Sequence, residues 1–153
     1  MFHRLQGRPF VVPALLFLLA ACPGLGSADD GRLAAQRLTF AAAEAALRRN
    51  DTALYNRLTA QLKDYPLYPY LLYQDLKRRL DHNPAGEVQW FLDAFPDVPV
   101  AGRLRDAWLR HLAATRQWVA YRRFHRPGGT LEQDCWQRQA LLAAGNSAAA
   151  LEG

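Results

Sequence analysis

The side chains able to do acid–base, nucleophilic or metal chemistry in this 153-residue sequence are few and scattered. Its glutamates are Glu44, Glu87, Glu132 and Glu152, followed by Ala, Val, Gln and Gly. A carboxyl that cleaves a glycosidic bond works from a cleft, with a raised pKa. No spacing among the acidic residues singles out such a group or a carboxylate pair, so no catalytic residue is assigned. His82, His111 and His125 are not four residues apart and none stands beside a cysteine, so no metal-ligand pattern forms. There is no nucleophile–base pair and no phosphate-binding loop, and no cofactor is expected.

Two further sets of residues carry chemistry of other kinds. Cys22 closes Leu19-Ala20-Ala21-Cys22, which reads as a lipid-attachment sequence, although Pro23 is an awkward neighbour for that processing. Tyr65, Tyr68 and Tyr70, with Tyr73, form a tyrosine–proline stretch whose rings could stack on sugar faces. Packing between helix pairs, with phenol oxygens on backbone carbonyls or water, is the favoured role for them. Trp90, Trp108, Trp118 and Trp136 fall at inward helical positions, and core packing is expected for most of them.

The elements that position these residues are all helical. The start of the chain has the three-part layout of a secretory signal peptide. Arg4 and Arg8 precede an apolar run over 10–21, small residues end at Gly26-Ser27-Ala28, and Asp29 and Asp30 follow. The run is about a dozen residues, too short for the ~20 that cross a bilayer. Cleavage after Ala28 is expected, giving residues 1–28 as the signal peptide and 29–153 as the exported chain. Membrane attachment would require lipid on Cys22. Arg4 and Arg8 are the only charged residues lost from the formal +5, so 17 basic side chains face 14 acidic ones in what remains. That excess, with no dense basic run, argues against nucleic acid as a partner. Arg103, Arg105, Arg110, Arg116, Arg122, Arg123 and Arg126 concentrate in the second half, either facing an anionic polymer or solvated beside acids such as Asp106.

From Asp30 onward, apolar residues recur at helical spacing between short Pro, Gly and Asn breaks. Helices are predicted over 33–49, 52–63, 70–81, 85–94, 100–115, 117–125, up to 144 from a Thr130 cap with Gln133 as capping-box partner, and 147–151. Helices of this length on two- to five-residue turns stack as hairpins, so the fold class is all-α: an α-solenoid, a tetratricopeptide-like superhelical stack. Leu47-x-x-Asn50-x-x-Ala53 and Leu142-x-x-Gly145-x-x-Ala148 share one faint corner pattern. The last predicted helix stops about one turn in, which reads as a solenoid cut before its end.

Lys63-Asp64-Tyr65-Pro66-Leu67-Tyr68-Pro69-Tyr70-Leu71 is similar, without mismatch, to a segment of the soluble lytic murein transglycosylase family. Downstream, Phe91–Pro99, Trp118, Cys135 and Gly145–Ala150 follow in the family's order, so the resemblance covers about residues 30–151. It implies the amino-terminal part of a ring-like superhelix in the periplasm. In complete members a lysozyme-like domain follows, which cleaves between N-acetylmuramic acid and N-acetylglucosamine and leaves a 1,6-anhydro end. The partners implied are glycan strands of peptidoglycan and that catalytic domain of the same protein. The family's Glu-Ser and Gly-Leu-Met-Gln motifs are absent: no glutamate here precedes serine, and the only methionine is Met1. Leu54-Tyr55-Asn56 echoes its Ala-Tyr-Asn motif on a plain amphipathic helix and reads as structural. The resemblance also places a second cysteine a few helices beyond Cys135, which makes Cys135 a disulfide candidate; a buried free thiol is the alternative. The other functional reading is a free-standing periplasmic tetratricopeptide-like module that binds another envelope protein.

Overall fold

The computed structural model describes residues 26–82 and 84–151. Among them are eight α-helices and no strand: α1 Gly26–Arg48, α2 Thr52–Thr59, α3 Tyr68–Arg78, α4 Ala85–Ala94, α5 Pro99–Ala114, α6 Trp118–Phe124, α7 Leu131–Ala143 and α8 Ser147–Leu151. A single 3-10 turn, Leu80–His82, follows α3. The odd-numbered helices pack in series, α1 on α3, α3 on α5 and α5 on α7. The pairs α1/α2, α5/α6 and α7/α8 are hairpins in contact, while α4 leans on α5. This is the stack of helical hairpins that defines an α-solenoid.

Three corners share one construction. At the α1/α2 corner Asn50 is left-handed (φ 57°), its N–H bonds to the Leu47 carbonyl, and Asp51 N–H reaches back to Ala46. Arg116 (φ 55°) with Gln117, and Gly145 (φ 76°) with Asn146, repeat the pattern on the ends of α5 and α7. The paired bonds are a Schellman motif, which satisfies the last carbonyls of one helix and aims the chain into the next. Asn and Gly are read easily as such corners. Arginine is not, because its Cβ crowds the left-handed region.

Several predicted limits differ from those observed. α1 begins at Gly26, before the expected start at 33, and so runs through the Ala28–Asp29 bond; Asp29 stands in its first turn, paired with Arg32 at 2.8 Å. A carboxylate there suits the positive end of the helix dipole. α2 ends at Thr59 rather than 63, because the chain tightens into successive turns that bury Leu62 and Tyr65. α3 gives way to a 3-10 turn after Arg78. The signal-peptide and lipid-attachment expectations on residues 1–25, Cys22 included, lie outside the described residues.

Two apolar clusters fill the stack. The first joins Ala43, Ala46 and Leu47 of α1 to Tyr55 of α2, Leu62, Tyr65 and Leu71. The second centres on Leu104, Trp108, Leu109 and Leu112 of α5, with Phe91, Tyr121 and Ala140 around them. Trp90 departs from its expected place. It is 52% exposed, because Val88, Phe91 and Leu92 take the inward face of α4 and leave position 90 on the outside.

Candidate functional site

The tyrosine–proline stretch is the joint between the two clusters. Tyr65 is buried in the first, its ring 5.6 Å from that of Phe40. Tyr68 is half-buried against the same cluster and meets Phe95 edge-on at 6.1 Å. Tyr70 and Tyr73, also half-buried, pack on the second cluster. Pro69 lies at the start of α3, where its missing N–H costs nothing. Tyr65 therefore offers little ring face to a ligand, and Tyr68 and Tyr70 are only partly accessible.

Behind this joint lies a cleft of about 500 Å³, between the α1/α2 corner on one side and α3 with the start of α4 on the other. Its walls combine charged and amide side chains with apolar surface. Arg79 donates from Nε and Nη2 to Asp75 Oδ2 at 3.0 and 2.7 Å, and from Nη1 and Nη2 to the Glu87 carboxylate at 3.1 and 2.6 Å. The hydrogen bonds from Arg79 hold the Glu87 carboxyl below its ordinary range, against a smaller opposing effect of burial. The same bonds, Glu87 first, raise Arg79 further above its already high value. Arg78 donates to the Leu47 carbonyl and, at 2.6 Å, to Asn50 Oδ1, so it braces the α1/α2 corner. Tyr55 closes the floor: its hydroxyl donates to the Leu71 carbonyl at 3.3 Å, and burial, then the charge of Asp75, pushes its pKa up.

Sequence reasoning did not find this cleft. Asp75 and Arg79 are visible as a helical i, i+4 pair. Glu87 joins them only because the 3-10 turn after α3 folds α4 back, and no sequence pattern reports that.

The remaining candidates are dispersed. Cys135 is an exposed free thiol on α7. His111 stacks on Trp108 at 5.2 Å with Asp81 at 3.4 Å, and His125 stacks on Tyr121 at 5.8 Å with Asp134 at 3.7 Å. Arg103, Arg110, Arg116, Arg122, Arg123 and Arg126 are exposed, whereas Asp106 accepts from Gln133 Nε2 at 2.9 Å. Among the described residues no three His, Cys, Asp or Glu side chains gather to hold a metal ion. No helix among them is long and apolar enough to cross a membrane.

No protein-family model matches the chain. The soluble lytic murein transglycosylase of Salmonella typhimurium strain LT2 is 33% identical to it over 153 residues, 97% of this chain and 23% of the relative. The protein of that name in Escherichia coli strain K12 is 32% identical over 120 residues, 77% of this chain and 18% of the relative. The crystal structure of the 70 kDa soluble lytic transglycosylase from Escherichia coli superposes with a TM-score of 0.70 at 32% identity, covering 77% of this chain and 19% of that one. This chain is a relative of the soluble lytic murein transglycosylases. It spans about a quarter or less of the length of the curated relatives it matches. A second structure of the 70 kDa transglycosylase, in complex with bulgecin A, matches with a TM-score of 0.69.

Proposed function

We propose that this chain is the amino-terminal, non-catalytic helical scaffold of a peptidoglycan lytic transglycosylase, and that it helps hold glycan strands of the cell wall. The agreement of sequence and fold with the soluble lytic murein transglycosylases, at 32% identity and a TM-score of 0.70, carries this reading. In it, cleavage between N-acetylmuramic acid and N-acetylglucosamine with a 1,6-anhydro product belongs to a catalytic domain of the complete protein. The absence of Glu-Ser and Gly-Leu-Met-Gln from this sequence supports that division of labour. The site of action is the periplasm, reached through a signal peptide over residues 1–28, with a soluble chain starting at Asp29.

The purified chain incubated with murein sacculi is expected to sediment with them and to release no anhydro-muropeptides. Failure to sediment overturns the glycan-holding role, and release that survives purification overturns the non-catalytic one. Mass spectrometry of the exported product is expected to show an amino terminus at Asp29; a lipid on Cys22 would replace the soluble assignment by a membrane-anchored one.

A further inference from the structure

We propose that the outer face of α6, with the grooves on either side of Val119, is a docking surface for an acidic segment of another protein that carries bulky apolar side chains. A protein partner is a different class of ligand from the glycan strands of the scaffold role.

Val119 is 88% exposed and forms a ridge with a groove on each side. One groove, of about 460 Å³, runs between α6 and the start of α4, with Trp118, Ala120 and Phe124 in one wall and Ala85 opposite. The other, of about 180 Å³, lies between α6 and the end of α7, where Ala140, Ala143 and Ala144 leave room beside Trp118. Apolar surface predominates in both. Trp118 is half-buried and meets the core ring of Tyr121 edge-on at 6.2 Å, so the shared wall is fixed from behind. Concave apolar walls of this kind seat side chains of the size of leucine or phenylalanine. A lipid surface would meet only the Val119 ridge, whereas interfacial helices bury a whole apolar face.

Charge decides the kind of segment. Arg116 stands three residues before Val119, and Arg122 and Arg123 three and four after it, so the last two share its face of α6. All three are exposed and line the grooves, and no Asp or Glu lines either groove. Among the described residues their side chains have no hydrogen-bond or ion-pair partner. Arg78 and Arg79, by contrast, are satisfied by oxygens of the protein itself. Unpaired guanidinium groups around an apolar centre favour carboxylates in forked hydrogen bonds and repel a basic partner. An apolar centre inside a charged rim is also the layout of a protein–protein interface.

Arg116 adds an independent observation. It holds a left-handed corner (φ 55°), where the matching corners of the stack use Asn50 and Gly145. That conformation disfavours arginine, and the side chain gives the fold no hydrogen bond or ion pair in exchange. It does stand where the two grooves meet, since it lines both. Local strain with no structural use, placed at a binding groove, is strain that serves the ligand.

The probe is a fluorescein-labelled peptide, Asp-Glu-Leu-Phe-Glu-Asp-Leu-Leu-Glu-Asp, titrated with the full 153-residue chain and read by fluorescence anisotropy. Wild type is expected to bind it, and to bind the same peptide with Asn and Gln for its acids about tenfold more weakly. Val119→Asp, at a highly exposed position, is expected to weaken binding about tenfold, and Arg116→Gly about fivefold. Arg116→Gly is expected to gain stability while losing affinity, so its lost binding is not a loss of fold; circular dichroism checks Val119→Asp. Arg103→Gln removes one exposed charge outside both grooves and is expected to bind as wild type does. The proposal is overturned by no binding in wild type, by equal affinity for the neutral peptide, or by wild-type affinity in either groove variant. An equal loss in Arg103→Gln overturns it too, because net charge alone would then explain the binding. Flotation with phosphatidylglycerol vesicles without peptide binding would assign the face to a membrane instead. Sedimentation with sacculi that is lost in Arg116→Gly would assign the arginines to the cell-wall polymer instead. Sedimentation kept in both groove variants, with peptide binding lost, is the expected result; a wild type that binds the peptide but does not sediment leaves this surface standing and removes the glycan role.

Discussion

The hydroxyl of Tyr121, on α6, donates to the backbone carbonyl of Gln133, on α7, at 2.7 Å across a fully buried contact. It is a polar link between two successive hairpins, surrounded by Trp118 and Trp136 in edge-on contact with the Tyr121 ring. Burial first, then the charges of Asp134 and Glu132, pushes the Tyr121 pKa up to about 12.

Tyr121→Phe removes this bond and is expected to cost about 1 kcal/mol at neutral pH, read as a lower denaturation midpoint. The pH dependence has a definite sign. The folded pKa lies above the ordinary phenol value of about 10, so the neutral hydroxyl stabilises fully below that value. The contribution is lost as pH rises through about 12. The difference between wild type and Tyr121→Phe is therefore expected to shrink in alkaline titration, and a difference that stays constant across that window would contradict the account.

Arg79 and Glu87 give the opposite sign. The Glu87 pKa is depressed, so its pairing is in force above the ordinary glutamate value of about 4.3 and is lost as pH falls through the lower folded value. The two side chains are 37% and 58% exposed, which limits the contribution to under about 1 kcal/mol. Glu87→Gln is expected to lower the urea midpoint slightly at pH 7, and the gap to wild type is expected to close as pH falls through the depressed Glu87 value. High salt is expected to narrow the gap at neutral pH.

Arg116 stands at φ 55° in the corner between α5 and α6. A side chain in the left-handed region costs ~1–2 kcal/mol, part of which glycine gives back as extra unfolded-state freedom. Arg116→Gly is accordingly expected to raise stability by roughly 0.5–1 kcal/mol. Asn50→Ala at the α1/α2 corner is expected to lower stability, since it puts an unfavourable residue in the same conformation and removes the acceptor for Arg78. Thermal denaturation of both variants checks the pair.

Besides accepting from Tyr121 at its carbonyl, Gln133 is held by three further groups. Its N–H donates to Thr130 Oγ1 at 3.2 Å, its Oε1 accepts from the Thr130 N–H at 3.2 Å, and its Nε2 donates to Asp106. A Cβ on Gly129 would fall on Oε1 of Gln133. Gly129→Ala is therefore expected to push Gln133 out of the capping box, and to cost about what Thr130→Ala costs, ~1 kcal/mol. Additive losses in the double variant would show that the two positions act independently.

Cys135 is exposed on α7, so its thiol is expected to react with Ellman's reagent in the folded chain without denaturant. We propose that in a longer chain it pairs with a cysteine beyond residue 153, as the family resemblance implies. There it is expected to be protected until a reductant is added. Free titration in the unfolded, unreduced longer protein would remove the bridge.

Local information was enough for much of this architecture. The Thr130–Gln133 capping box, the prolines that open α3 and α5, and the corners at Asn50 and Gly145 are written in neighbouring residues, because caps and turns are decided by side chains within a few positions of the backbone they satisfy. The all-helical stack follows from periodicity for the same reason, and the tyrosine–proline run carries the family resemblance within one short segment. What depended on the tertiary structure is what is joined across helices. Arg116 adopts a left-handed corner that its own type disfavours, because the packing of α5 against α6 outweighs the local preference. Trp90 is aromatic and was expected inside, but the face of α4 that turns inward is selected by Val88, Phe91 and Leu92 against α5. The Asp75–Arg79–Glu87 cluster exists only once the 3-10 turn brings Glu87 of α4 within reach of Arg79, a contact whose geometry no spacing along the chain contains.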